Sequence, residues 1–321
     1  MFKSRARKIF AHDDVNPWLL VLIFTTVLSS PVGVLNKLLL TALDPFVITT
    51  VRYFIVVLVL LPISIRYFRR YKEALKKKLK WILFFGAIAS LGVPAHMVAL
   101  SMTSVSFIAI LDLLVPILFV IISTLATKDK LSRNAFVGIS FALLGGSVML
   151  LLPAIFNWPG VNGFGLLPVL LMAISMIIAA SSPVVLRKLN TNDLPLVPIL
   201  TIFYMVAFVI SGILSLTVHG PGSFESLITL PSWAWIIVFS QAVLLSAIFR
   251  WLNIKAYENL GTATTASVDY LYYALAVCLP LLLLGERLPP EVIIGGLLIV
   301  VGIVFVRRHP HKRMHRPHRR V

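Results

Sequence analysis

The segment "ALSMTSVSFIAILDLLVP" at residues 99–116 lies on "AYENLGTATTASVDYLYY" at residues 256–273 without a gap when the chain is slid by 157 positions. Ala99, Ala109, Asp112, Leu131, Gly138 and Gly145 then meet Ala256, Ala266, Asp269, Leu288, Gly295 and Gly302, and "DKL" at 129–131 meets "ERL" at 286–288. Further upstream, "SSPVGVLNKL" from Ser29 matches "SSPVVLRKL" from Ser181 with one residue of slippage. Agreement over this length makes the chain two copies of one unit.

The unit is built for lipid. Of the 321 residues, 59% are hydrophobic and 13% charged, an apolar excess outside the range of ordinary soluble domains. A helix needs about 20 apolar residues to cross the hydrocarbon, and such runs fall near 17–38, 45–67, 80–101, 104–126, 134–153, 164–186, 194–218, 231–252, 261–284 and 290–306. The six tryptophans, at 18, 81, 158, 233, 235 and 251, stand at or beside the ends of these runs, where amphipathic rings favour the headgroup level. The expected fold is therefore an all-α polytopic membrane protein of ten transmembrane helices. An N-terminal tail (1–16) precedes a first five-helix repeat (17–153), and a second repeat (164–306) precedes a basic tail (307–321). The first apolar run is long enough to span, so no cleaved signal is expected. The single cysteine, Cys278, excludes an intrachain disulfide and reads as a small core residue.

A net charge of +17 raises nucleic acid as a partner, but its distribution excludes that reading. Of the 29 lysines and arginines, all except Lys37, Arg52 and Arg287 fall in the tails and alternate loops on one side of the ten-span scheme. Positive loops stay inside, which places both termini in the cytoplasm. Because five spans is an odd number, the second copy enters from the opposite side, giving an inverted-topology repeat. The stretch "RYFRRYKEALKKKLK" (66–80) is expected as an interfacial helix on anionic lipid. His309, His311, His315 and His318 in the tail carry no fixed ligand spacing, so no metal or other cofactor is expected.

Ionisable residues within spans are costly, about 2.5–3.5 kcal/mol each on insertion scales, and mark function. At 1.5 Å per residue, Asp112 lies roughly 12 Å and Arg52 roughly 10 Å below the outer surface, with His96 shallower and Asp269 at a mirrored depth on the inner side. Asp112 and Arg52 are expected to pair, either as a structural ion pair or as an outer gate in which Arg52 meets a substrate carboxylate. His96, two residues after Pro94, is expected as a hydrogen-bonded interior histidine. Asp269 has no obvious cation beyond Arg250 or Lys255, which makes it the proton-coupling candidate. Tyr272 and Tyr273 stand three and four residues on, along its own helix face.

The "SSP" motifs, Ser29, Ser30, Pro31 and Ser181, Ser182, Pro183, interrupt corresponding spans; they are either simple kinks or the broken helices of a transport site. Gly138 with Gly145, and Gly295 with Gly302, read as close helix packing.

These features resemble the EamA branch of the drug/metabolite transporter superfamily. The resemblance covers about residues 17–306 and rests on the two five-helix halves, on "KLSRNAFVGISFALLGG" after the Asp112 segment, and on "GERLPPEVIIGGLLIVVGIVFV" at the end. Lys37 and "VRYF" (51–54) match as well. One departure is Tyr273, where the family often has a proline equivalent to Pro116. The resemblance implies a secondary transporter that exports a small organic metabolite such as an amino acid, in a prokaryotic plasma membrane, with protons as a candidate second partner; a homodimer is compatible with it. A nucleotide-sugar carrier of the same superfamily is the nearest alternative. A membrane-embedded lipid-modifying enzyme is a further one, although no P-loop, H-E-x-x-H or G-x-S-x-G motif is present.

Overall fold

The computed structural model of the protein describes residues 16–127, 133–156, 166–189, 194–260 and 262–307. Among these, the extended elements are helices and no β-strand occurs. The first half contains α1 (Pro17–Leu39), α2 (Pro45–Arg70), α3 (Lys72–Met102), α4 (105–127) and α5 (Arg133–Phe156). The second contains α6 (Leu166–Leu189), α7 (Leu196–His219), α8 (232–259), α9 (Thr262–Leu283) and α10 (Pro290–Arg307).

Local sequence explains the boundaries. Asn16 and Asp44 cap α1 and α2, accepting from Trp18 N at 3.0 Å and Phe46 N at 2.8 Å, and each is followed by a proline that has no N–H to leave orphaned. Ser104 caps α4 through Phe107 N at 3.2 Å. No separate interfacial helix forms at 66–80. Residues up to Arg70 continue α2 and those from Lys72 open α3, with only Tyr71 between them. Lys, Glu, Ala and Leu are strong helix formers, so the basic segment extends the helices on either side of Tyr71.

Six helical stretches, starting at Pro17, Pro45, Lys72, Val105, Leu196 and Ser232, are long and apolar enough to cross a membrane. Shorter apolar stretches, Phe136–Met149, Leu166–Ser182, Leu271–Leu283 and Pro290–Phe305, occupy the places of the remaining expected spans. Large apolar side chains such as Phe24, Leu125, Leu170 and Leu297 face outward while serines and threonines are buried, the pattern of a lipid-facing surface around a polar-bearing interior. Cys278 is exposed on that surface, which corrects its expected core position. In α9, apolar character alone does not separate the lipid face from the core, because both solvents are oily.

The packing maps onto itself when the halves are exchanged. α3 packs on α6 as α8 packs on α1, α4 on α6 as α9 on α1, and α3 on α7 as α8 on α2. Equivalent helices α2 and α7 run antiparallel: Ser64 meets Thr201 at 2.5 Å, the Phe54 and Phe208 rings lie 5.4 Å apart, and the Phe46 ring lies 6.0 Å from His219. α5 and α10 also cross antiparallel, the most extensive helix contact among the described residues. A Cβ on Gly145 would strike the Gly295 carbonyl, and one on Gly302 the Gly138 carbonyl. The seven-residue glycine spacing therefore serves close backbone packing, as its sequence pattern implies.

Candidate functional site

Asp112 ends the first part of α4, Val105–Asp112, and the helix resumes at Val115. Pro116 has no N–H for the Asp112 carbonyl, and the Ile117 N–H turns to Leu114 O at 3.1 Å, so the helix breaks beside the carboxylate. The equivalent place in α9 carries Tyr273, and Thr262–Leu283 runs unbroken there. Asp112 is partly buried. It forms no hydrogen bond or salt bridge among the described residues. The groups within electrostatic range of it are His96 on α3 and Tyr272 on α9. The Tyr272 and Tyr273 rings meet edge to face at 5.4 Å.

The expected Arg52–Asp112 pair is absent. Arg52 Nη1 instead donates to Gln241 Oε1 on α8 at 3.0 Å. Arg52 projects from α2 toward α8, whereas Asp112 lies between α3 and α9; both estimated depths were compatible with pairing, but helix rotation was not. His96 has no hydrogen bond among the described residues, contrary to expectation. Its repeat equivalent Asn253 does, accepting from Thr25 Oγ1 at 2.5 Å, so the two copies have diverged here.

The "SSP" motifs also differ. α1 is interrupted at Ser30 and Pro31, between Pro17–Ser29 and Val32–Leu39, with Ser29 and Ser30 hydroxyls donating to Thr26 O at 3.1 Å and Val27 O at 2.7 Å. α6 is continuous through Ser181 and Ser182, so of the two readings the interrupted helix describes α1 and not α6. Both α6 hydroxyls donate to Ile178 O, at 2.9 and 2.8 Å, and one missing backbone bond does not end a helix whose neighbours support it. The Asp269 and Pro183 side chains lie outside the described residues, as do His309, His311, His315 and His318.

Two features escaped sequence reasoning. Gln241, the only glutamine in the chain, opens a π-helical segment, Gln241–Phe249, inside α8; π segments concentrate at functional positions. Its isolation within an apolar run was the available signal. The second is a clasp at one end of the bundle. Glu286 accepts from Val105 N at 2.9 Å and Ser106 N at 2.8 Å, capping α4 from the other repeat. Beside it, Lys37 Nζ donates to Leu100 O at 2.8 Å and Thr103 O at 2.6 Å, closing the end of α3. Carboxylate at a helix start and ammonium at a helix end both oppose the helix dipole.

The interior thus holds a carboxylate beside a helix break, an arginine without a counter-ion among the described residues, and contributions from both halves. A family model described as EamA-like transporter family matches residues 16–151 and 166–308, one match for each half. The chain belongs to the EamA-like transporter family. It is accordingly an integral multi-pass membrane protein of transporter type. A solved structure described only as the crystal structure of a protein is similar in fold, with a TM-score of 0.59 at 17% identity, covering 91% of this chain and 96% of that one. No curated protein matches the chain.

Proposed function

We propose that the protein is a secondary transporter in which ten spans form two inverted five-helix repeats, and that these rock against each other to move a small organic metabolite such as an amino acid outward. The observation that carries this reading is the antiparallel crossing of equivalent helices, α2 on α7 and α5 on α10, around interior polar groups drawn from both copies. Two halves related in this way have matching ways of closing on either side, which is the basis of alternating access. The positive-inside count supports an orientation with both termini in the cytoplasm.

The substrate path runs by Asp112, His96 and Tyr272, where α4 is broken. A carboxylate with no fixed partner can hold a cationic group or a proton in turn. Asp112 therefore joins its repeat equivalent Asp269 as a proton-coupling candidate, since the arginine expected to neutralise it is engaged elsewhere.

Counterflow in proteoliposomes, with a panel of amino acids, nucleosides and nucleotide sugars, tests the reading. Saturable exchange of an amino acid or similar metabolite supports it; exchange of nucleotide sugars moves the protein to that carrier class. No saturable exchange of any compound overturns it.

A further inference from the structure

We infer that Arg52 and Gln241 form an oxyanion site at the boundary of the two repeats, which receives a carboxylate or phosphate group of the cargo. The inference deepens the transporter reading and rests on it for the identity of the ligand as cargo.

Arginine can only donate, so Arg52 Nη1 fixes the Gln241 amide with its oxygen inward, at 3.0 Å. That leaves the amide nitrogen as a donor facing away. Gln241 is 1% exposed, and both its Nε2 and Arg52 Nε are buried with no partner among the described residues. No carboxylate pairs with Arg52 among those residues. Arg52 itself is partly buried.

The cluster therefore presents donors and one uncompensated positive charge, with its single acceptor already used. Leaving such donors unmade costs stability, most of all for charged groups. An oxyanion at the guanidinium relieves the uncompensated charge, because the guanidinium fork matches its geometry.

The mount is firm. Tyr204 of α7 donates to the Ser246 carbonyl at 3.2 Å, and Ser246 donates to the Gln241 carbonyl at 3.2 Å, bracing the π segment. The Tyr53 ring, next to Arg52, packs 5.8 Å from Tyr204. The repeat offset places Phe84 and, approximately, Ile202 at the equivalents of Gln241 and Arg52. The site exists in one copy only, which gives the otherwise paired halves a directional chemistry.

The test is thermal unfolding of the purified full-length protein in detergent, titrated with sodium acetate or sodium phosphate against sodium chloride at matched ionic strength. A saturable rise in Tm with acetate, phosphate or both is expected, and the arm that responds names the group. Arg52→Gln should weaken the response about 10- to 100-fold. Gln241→Glu supplies its own carboxylate to Arg52, so its Tm should be raised without added anion and should not rise further with it; this variant decides the matter if Arg52→Gln does not fold. No saturable response in the unaltered protein, or a response unchanged in both variants, overturns the site. The two readings fail separately. Anion binding in a protein that exchanges no compound overturns transport alone, while exchange that is indifferent to acetate, phosphate and Arg52→Gln overturns the site alone.

Discussion

Gly145 and Gly295 meet backbone to backbone at the crossing of α5 and α10, so that a Cβ on Gly295 would stand 2.5 Å from the Gly145 carbonyl oxygen. Gly302 meets Gly138 in the same way. Because the repeat maps Gly138 onto Gly295 and Gly145 onto Gly302, each contact is the other's image, and the crossing marks the axis that relates the halves.

Alanine at Gly145 or Gly295 should therefore cost about 1–3 kcal/mol by forcing the helices apart. The neighbouring Gly146, whose Cβ would meet only the Leu114 side chain at 3.2 Å, is the control and should lose less. Heating detergent extracts and following the monodisperse peak by size exclusion checks both.

Glu286→Gln should destabilise the α4 start by about 1–2 kcal/mol, since one amide oxygen replaces two carboxylate oxygens that accept from adjacent N–H groups. Lys37→Met should release the Leu100 and Thr103 carbonyls. As the two side chains hold opposite sides of one loop, the double variant should show non-additive loss in Tm.

Arg52 and Asp112 should behave independently. Arg52→Gln and Asp112→Asn are expected to add within about 0.3–0.5 kcal/mol in thermal stability, whereas Arg52→Gln with Gln241→Leu should show a coupling of about 0.5–3 kcal/mol. Strong coupling of the first pair would restore the ion pair that the helix rotations exclude.

Proteoliposome transport should lose part of its pH dependence in Asp112→Asn, Asp269→Asn, or both. A pH profile identical to the unaltered protein in both variants removes the carboxylates from proton coupling.

The duplication, the apolar spans and the close glycine packing were legible in the sequence because each depends on local pattern or on spacing within one helix. Asp112 was legible too, as a charge where lipid permits few. Its partner was not. Depth along a helix follows from rise per residue, but the direction in which Arg52 points depends on how α2 packs on α7 and α8, and similarly apolar faces toward lipid and core give no sign of that rotation. The exposure of Cys278 was hidden for the same reason. The continuity of α6 through its "SSP" depended on neighbours that no local pattern contains, and the clasp of Glu286 on Val105 and Ser106 joins residues 181 and 180 positions apart. Sequence alone determined that two copies of a membrane-spanning unit make this protein and marked Asp112 and Arg52 as ionisable residues within its spans. Only the tertiary structure decided which of those residues meet, because in a membrane interior the helix rotation that brings a donor to an acceptor is set by packing across helices.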